Sequence, residues 1–301
     1  MSTPTIQISY TPESEVLFRL FHNEVAPCKR PYRDHSHAEY EITIILAGHG
    51  TFTVGKGKHY DTHPGDVFLF RSNENHYMSV IEPGEDARTI GIHFLPQFIM
   101  SQSSNLFDIK FLAAFLNQDS TFENRMPRNN PVVSTIVSLM EQMKGEYDQK
   151  LPDYEQMIKI MLLTILMSIN RSYGLSLNED ISHLTNEHFD MIAQSMKYID
   201  EHIAENLSLE KLADMANVSR SYYSRVFKIV NRIPPMDYII RKRIDLAKVA
   251  LQKTDLSILE IAYQCGFNNT ANFNRAFRQR TGLVPSAFRK QARKVGYIED
   301  D

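Results

Sequence analysis

The spacing of apolar positions changes along the 301 residues of this chain. Over residues 31–94, apolar and polar residues alternate, or apolar residues run together for about four to eight positions between turn residues. Gly and Pro separate these runs. The pattern predicts short β-strands joined by turns, packed as a small sandwich or barrel. From residue 106 onward, apolar positions recur every three or four residues, which predicts α-helices.

Two long amphipathic helices are predicted beyond the strands, at 131–146 and 153–173. Both are so apolar that they would either pack on the strands or pair with a second subunit, and the sequence leaves both alternatives open. Residues 174–186 are polar and begin with Gly, as is typical of a linker. Because one core rarely grows beyond about 250–300 residues, we predict two domains, at 1–173 and 187–293.

The C-terminal part contains an internal repeat. Residues 209–228 align with 258–278 at an offset of 49, which becomes 50 after one inserted residue, and many apolar and basic positions match in class. Each copy has the pattern of a helix, a sharp turn and a second helix. The repeat therefore predicts two helix-turn-helix units.

Caps and turn residues support this prediction. Ser208 can cap the first helix of the first unit, and Ser257 with Glu260 has the spacing of a capping box in the second. Gly266 can adopt the left-handed conformation that the turn of the second unit requires, and Asn217, in the first unit, is the next best residue for it.

The second helix of each unit has an apolar stripe and a polar face. On a helix in the major groove, such polar side chains contact base edges, although they can also form a merely solvated surface. Lys228 and Arg278 lie further along their helices and are better placed for phosphate. The predicted DNA-binding residues are Arg220, Ser221, Tyr222, Ser224, Arg225 and Lys228, followed by Thr270, Ala271, Asn272, Asn274, Arg275 and Arg278.

Residues 235–252 predict one connecting helix between the two units, with Pro235 in its first turn. A rigid connection would hold the two recognition helices about one turn of DNA apart, roughly 10 bp. A further amphipathic helix is predicted at 189–203. The predicted stripe of the connecting helix is Met236, Ile240, Ile244, Ala247 and Leu251, and its basic residues Arg241, Lys242 and Arg243 would contact phosphate or be solvated.

Charge is distributed unevenly. Residues 219–294 contain 16 Lys and Arg against 4 Asp and Glu, whereas residues 1–185 contain 15 against 22. A basic stretch within an acidic protein indicates a polyanionic partner. We see no signal peptide and no membrane-spanning run, and only two distant cysteines, Cys28 and Cys265. These features predict a cytoplasmic protein without a membrane partner or a disulfide framework.

A histidine and glutamate cluster stands out within the predicted strand region. His35, His37 and Glu41 share sequence parity, so their side chains would face the same way on a strand. Three interpretations are open for them and for His76: a divalent metal site, hydrogen bonds to a small polyhydroxy or carboxylate effector, or structural histidines. Arg33 is a further effector contact, and Tyr32 and His93 are lesser candidates, His93 being equally compatible with an ordinary strand residue.

Residues 187–290 resemble the DNA-binding domain of the AraC/XylS family. The strongest match is IAYQCGFNNTANFNRAFRQRTGLVPSAFR at 261–289. This sequence departs from the family where Asn217 and Asn231 replace common glycines, and where Thr270, Ala271 and Asn272 stand in place of residues that are often acidic or serine. These departures affect which bases are contacted and not the fold.

The first half resembles the cupin barrel, where two His, one Glu and a third His can hold a metal. The first motif matches at His35, His37 and Glu41, although Lys29 stands where the full pattern has Gly. The second motif, which ends at His76, lacks its Pro and Gly. AraC-type regulators often keep this trace in a barrel that binds a sugar or another metabolite, and the same resemblance implies that the helices at 131–146 and 153–173 form a dimer.

Together the resemblances imply an α+β protein. A cupin-like β-barrel with flanking helices would sense an effector and dimerise, and an all-α domain would carry two helix-turn-helix units joined by a long helix. The implied partners are promoter DNA, a small molecule such as a sugar, RNA polymerase and a second copy, with no cofactor and no catalysis. The implied function is a transcription regulator, most often an activator in this family. The alternatives are a metal-dependent cupin enzyme with an accessory DNA module, and a non-specific architectural DNA binder.

Overall fold

The computed structural model describes residues 17–25, 36–55, 57–79, 87–99, 109–117, 122–175 and 183–295. The chain divides into two compact units. One consists of Glu15–Asp190 and Ile229–Arg232, and the other contains Met191–Lys228 and the residues from Ile233 onward. Most of the predicted linker at 174–186 lies outside the described residues. No helix within the described ranges is long and apolar enough to span a membrane.

The strands of the N-terminal unit form two antiparallel sheets. One sheet has four strands in the order β1-β7-β2-β5, and the other has three in the order β4-β3-β6. Apolar side chains from both sheets meet in one buried cluster that includes Phe52, Phe68 and Met78. The strands are β1 Phe18–Val25, β2 Tyr40–Ala47, β3 Gly50–Val54, β4 Lys58–Thr62, β5 Val67–Phe70, β6 His76–Ser79 and β7 Ala87–Phe94.

β1 was not among the predicted strands. This strand pairs with β7 along its whole length, from Phe18 opposite Phe94 to Val25 opposite Ala87. Phe18 and Leu20 are buried and Arg19 between them is exposed, so the alternation is present. It covers only the first few residues before polar residues follow, and that is too short for a period to be recognised.

The strand register places one glutamate in the middle of the four-stranded sheet. Glu41 of β2 lies opposite Phe70 of β5 on one side and opposite His93 of β7 on the other. It is almost completely buried, with 3% of its surface exposed. A buried carboxylate requires charged or hydrogen-bonding partners, and these identify the candidate site described below.

Helices follow the strands, as predicted. They are α1 Pro96–Ile99, α2 Ala113–Leu116, α3 Val132–Gln149 and α4 Tyr154–Ser172. α3 buries Ile136, Met140 and Met143, spaced at three and four residues, and α4 buries a longer stripe from Ile158 to Ile169. The predicted amphipathic helices at 131–146 and 153–173 are therefore confirmed.

The C-terminal part is helical throughout its described residues. Its helices are α5 Asn186–Glu201, α6 Leu209–Met215, α7 Arg220–Asn231, α8 Pro235–Lys253, α9 Ile258–Gln264, α10 Thr270–Thr281 and α11 Pro285–Val295. α5 precedes two helix pairs, α6–α7 and α9–α10, which α8 connects, and α11 follows them. This arrangement confirms the predicted mixed α+β class.

The connecting helix α8 has a broader buried surface than predicted. Met236 is exposed and Ile240 only half-buried, whereas Tyr238 and Ile239 are buried. The predicted stripe was wrong at this end because α8 packs against both helix-turn-helix units rather than against one. Its first turns meet α7, where the Tyr238 and Phe227 ring centroids lie 5.6 Å apart. Its later turns share a buried core with α9 and α10.

Candidate DNA interface and candidate effector site

Both helix-turn-helix units turn through a left-handed residue. Asn217 has a φ of 53° and Gly266 a φ of 82°. In each unit the next residue closes the first helix with the same backbone bond: the Val218 N–H donates to the Ala213 carbonyl and the Phe267 N–H to that of Ala262. This bond five residues back is the mark of a Schellman turn. The two turns therefore share one backbone geometry.

The surroundings of the two turns differ. Asn217 is exposed. Gly266 is packed so closely that an added Cβ would lie 2.5 Å from the Ile203 carbonyl oxygen and 2.8 Å from Nε of Arg243. Glycine is therefore required at the second turn by both conformation and space, and at the first turn it is only favoured.

The helices begin at the predicted caps. The Ser208 hydroxyl accepts a hydrogen bond from the Lys211 amide at 3.1 Å. Ser257 and Glu260 form the full capping box, with 3.2 Å from the Glu260 amide to the Ser257 hydroxyl and 2.7 Å from the Ser257 amide to the Glu260 carboxylate. The serine's hydrogen bonds also hold the pKa of Glu260 below its ordinary value.

Each second helix buries its apolar stripe and exposes its polar face. Tyr223 and Phe227 of α7, and Phe273 and Phe277 of α10, are completely buried. The predicted DNA-binding side chains point away from these cores. Arg220, Ser221, Arg225, Lys228, Ala271, Asn272, Asn274, Arg275 and Arg278 are exposed, and Tyr222, Ser224 and Thr270 are half-exposed.

Equivalent arginines in the two helices rest on the residue three positions earlier. The Arg225 guanidinium lies 5.6 Å from the ring centroid of Tyr222. The Arg275 guanidinium donates to the Asn272 side-chain oxygen at 3.0 Å. Both contacts restrict a long side chain on the polar face, which lowers the entropy cost of placing it against a base.

Arg243 of α8 has a different role from the two predicted for it, phosphate contact or solvation. Its side chain donates to the Ile203 carbonyl at 3.0 Å and to the Glu205 carbonyl at 2.6 Å. Burial lowers its pKa from the ordinary arginine value. Lys242 is similarly engaged, since its Nζ lies 3.1 Å from the Asp200 carboxylate.

One departure from the family pattern falls one residue later than predicted, at Arg232 instead of Asn231. Asn231 is buried as the last residue of α7, and the left-handed residue is Arg232, with a φ of 62°. Its counterpart at the 50-residue offset is Gly282, which ends α10 with a φ of 76°. The glycine that the first unit lacks therefore corresponds to Arg232.

In the N-terminal unit, three histidines surround the buried carboxylate of Glu41. The Nε2 atoms of His37 and His76 each lie 2.9 Å from Glu41 Oε2, and Nε2 of His93 lies 3.1 Å from the same oxygen. The other carboxylate oxygen, Oε1, accepts a hydrogen bond from the Thr43 hydroxyl. The cluster joins the two sheets, since His76 begins β6 and Glu41 and His93 lie on β2 and β7.

Charge and burial oppose each other in this cluster. Burial alone would raise the pKa of Glu41, but the surrounding histidines hold it well below the ordinary value. Burial alone would lower the pKa of His37, but hydrogen bonds to Glu39 and Glu41 raise it to about 9. The Glu41 carboxylate is thus kept ionised although it is buried.

Aromatic rings hold the histidines in position. The His76 ring stacks on Phe70, with centroids 4.1 Å apart and planes 7° from parallel. Phe21 lies against His93, with centroids 4.5 Å apart. The His37 and His93 rings are themselves 4.1 Å apart. Packing of this kind fixes the direction in which the ring nitrogens point.

The structure brings together some of the predicted effector residues, including one of the lesser candidates. His37, Glu41 and His76 lie together, although His37 precedes β2 in a loop rather than lying on a strand. His93 was a lesser candidate and is a full member. Its place opposite Glu41 depends on strand pairing across 52 residues, which local spacing does not show. Tyr32, Arg33 and His35 lie outside the described residues.

Both halves of the chain match known families. Residues 29–153 match the AraC-like ligand binding domain and residues 212–291 a helix-turn-helix domain. The chain is 27% identical over 261 residues to the uncharacterized HTH-type transcriptional regulator YdeC of Bacillus subtilis (strain 168), covering 85% of each chain. It is 25% identical over 267 residues to the HTH-type transcriptional activator RhaS of Escherichia coli O81 (strain ED1a), covering 86% of this chain and 88% of RhaS.

A similar fold is found in ToxT from Vibrio cholerae O395 bound to (E)-4-(8-methylnaphthalen-1-yl)but-3-enoic acid. The TM-score is 0.51 at 15% identity, over 91% of this chain and 99% of ToxT.

Paired helix-turn-helix units and a ligand-binding domain define a DNA-binding transcription regulator, not an enzyme. Within that class, the chain belongs to the AraC family.

Proposed function

We propose that this regulator binds promoter DNA through both helix-turn-helix units and activates transcription when a small polar metabolite, such as a sugar, occupies its N-terminal unit. Its partners would be a second copy of the chain and RNA polymerase, and its place of action the cytoplasm. The domain limits that we propose are 1–173 for sensing and dimerisation, 174–186 for the linker and 187–293 for DNA binding.

One observation carries the DNA-binding part of the proposal. α7 and α10 present equivalent faces in which Arg225 and Arg275 are exposed and restrained by the residue three positions earlier. Arginine pairs with guanine in the major groove and asparagine with adenine. Lys228 and Arg278, further along the helices, would contact phosphate and set the register.

Selection from a random duplex library with the purified full-length chain tests this part. We expect enrichment of two short boxes about one helical turn apart, roughly 10 bp. Lys253→Ala is a matched control, because Lys253 is an exposed lysine at the end of α8 and belongs to neither recognition helix. Retention that depends on salt without any enriched sequence would contradict the proposal and favour an architectural binder.

The effector part rests on the Glu41 cluster. A buried ionised carboxylate among imidazoles can exchange its internal contacts for the hydroxyl groups of a polar ligand. Arg33, His35, His37, Glu41 and His76 are the proposed effector contacts, and His93 joins them by its position. We expect His37→Ala to abolish the response of a promoter fusion to its effector while DNA binding is retained. A normal response would place the effector elsewhere.

The dimer part rests on α4. This helix buries one apolar face and still exposes Met157 and Ile160, with 44% and 58% of their surfaces accessible. Leu163 and Met167 continue the stripe as half-buried residues. Sedimentation of Ile160→Glu tests the proposal, with Glu155→Lys as a control that changes charge at an exposed position of the same helix outside this stripe. We expect monomers for the first variant and dimers for the second, and dimers for both would exclude this face.

A further inference from the structure

The arrangement around Glu41 has the features of a metal site. Three Nε2 atoms approach one carboxylate oxygen, at 2.9, 2.9 and 3.1 Å. The potential ligand atoms of His37, Glu41 and His93 all lie within 4.8 Å of one another. Ligands at about 2.0–2.2 Å from a tetrahedral Zn²⁺ are separated by about 3.4 Å. The N–O contacts would therefore have to lengthen by a few tenths of an ångström to admit an ion, and nitrogen atoms near the 4.8 Å limit would have to draw together.

The opposite ring nitrogens are also held in the manner of metal ligands. Nδ1 of His76 lies 2.9 Å from the Glu74 carbonyl oxygen, and Nδ1 of His37 lies 3.2 Å from that of Glu39. Because a carbonyl only accepts, each Nδ1 carries the proton in these bonds. With Nδ1 held in this way, a metal ion that displaced the proton between Nε2 and Glu41 would meet the Nε2 lone pair, as it does at a metal-binding histidine.

We propose that His37, His76, His93 and Glu41 bind a divalent transition-metal ion. Three imidazoles with one carboxylate favour Zn²⁺ and related ions over Mg²⁺ or Ca²⁺. The Thr43 hydroxyl would orient the carboxylate, and the ion would link the two sheets through β2, β6 and β7. The inference deepens the proposed function and rests on it in so far as the same cluster receives the effector.

Titration calorimetry of the full-length, chelator-treated protein with ZnCl₂ tests the proposal, with thermal unfolding as a second readout. We expect one Zn²⁺ per chain and a higher Tm with Zn²⁺ but not with Mg²⁺. His93→Gln should weaken Zn²⁺ binding at least about tenfold. His22→Gln, an exposed histidine on β1 outside the cluster, should bind as the unaltered protein does.

If His93→Gln does not fold, His37→Gln is the alternative, since His37 lies in a loop. Absence of Zn²⁺ binding, or equal binding by the cluster variants and His22→Gln, would overturn the metal proposal. The measurement uses no DNA. Zn²⁺ binding without sequence-specific DNA binding would therefore refute only the proposed function, and specific DNA binding without Zn²⁺ would refute only the metal site.

A different observation carries a second inference, on Arg243. Its guanidinium joins the segment after α5, through Ile203 and Glu205, to the turn of the second unit at Gly266. The same group lies 5.9 Å from the Phe267 ring centroid. We infer that Arg243 is a positioning residue that sets the separation of the two recognition helices and so the spacing of boxes that the protein accepts.

Binding to two-box duplexes whose spacing differs by one base pair tests this role. We expect the unaltered protein and Lys248→Gln to prefer one spacing, and Arg243→Gln to lose the preference while keeping its affinity for a single box. Arg243→Lys, which can reach only one of the two carbonyls, should lie between them. An unchanged spacing preference, or an equal loss on one-box and two-box DNA, would overturn the inference.

Discussion

The two helix-turn-helix units share a backbone and differ in how strictly each position is constrained. Both turn through a left-handed residue and both close with a Schellman bond. The first turn is exposed, whereas the second is enclosed by the Ile203 carbonyl and the Arg243 side chain. The two repeated units therefore share a backbone geometry but do not tolerate the same substitutions at their turns. The contacts around each turn decide which residues fit there.

The largest expected difference between the units is at these turns. We expect Gly266→Ala to lower the free energy of unfolding by about 3 kcal/mol, because left-handed strain and overpacking against a backbone carbonyl add together. Asn217→Ala should cost about 1 kcal/mol, from strain alone. Urea unfolding of the two variants measures the comparison, and equal losses would show that the enclosure of Gly266 is unimportant.

The two recognition helices should contact different boxes of the DNA site and contribute similar amounts to the binding free energy. Arg225→Ala and Arg275→Ala should each weaken specific binding by about 1–3 kcal/mol, with relaxed base choice in one box only. Quantitative binding to duplexes altered in one box at a time measures the effect. The control is Lys253→Ala. Loss of selectivity in both boxes from a single substitution would contradict the assignment of one helix to one box.

The caps of the first helices should differ modestly. Ser257→Ala combined with Glu260→Ala removes both hydrogen bonds of the capping box and should cost about 1–2 kcal/mol, whereas Ser208→Ala removes one bond and should cost about 0.5–1 kcal/mol. Thermal or urea unfolding compares the two. A larger loss of stability for Ser208→Ala would mean that α6 depends on its cap more than the single hydrogen bond indicates.

The smallest expected effect is a gain. Asn217→Gly should raise the free energy of unfolding by about half a kcal/mol or less, because glycine removes the left-handed strain but adds freedom to the unfolded chain. Asn217→Leu is the matched opposite, with an expected loss of about 1 kcal/mol. A loss for the glycine variant would show that the Asn217 side chain contributes a contact of its own.

Local patterns predicted the parts of the structure that depend on neighbours in sequence. The caps at Ser208, Ser257 and Glu260 were predicted because capping joins residues three apart. The buried stripes of α7 and α10 follow from helical spacing in the same way.

Features that depend on distant pairing were missed or, for His93, given little weight. The membership of His93 requires the register of β2 on β7, and the role of Arg243 requires the end of α5 to lie beside α8. The exposure of Met236 follows from the packing of α8 against both helix-turn-helix units. For His93 and Arg243 the deciding partner lies 52 and 40 residues away, and in all three cases the spacing of apolar positions contains no information about the partner.

The enclosure of Gly266 also constrains how this protein can change over generations. At the first turn, Asn217 shows that a replacement can be accommodated, since its side chain is exposed. At the second, a new residue would require the Ile203 backbone to shift as well as a change at Arg243, because both lie in the space that a Cβ would occupy. One half of the duplication is therefore free to drift, while the other can vary only if the backbone beside it moves.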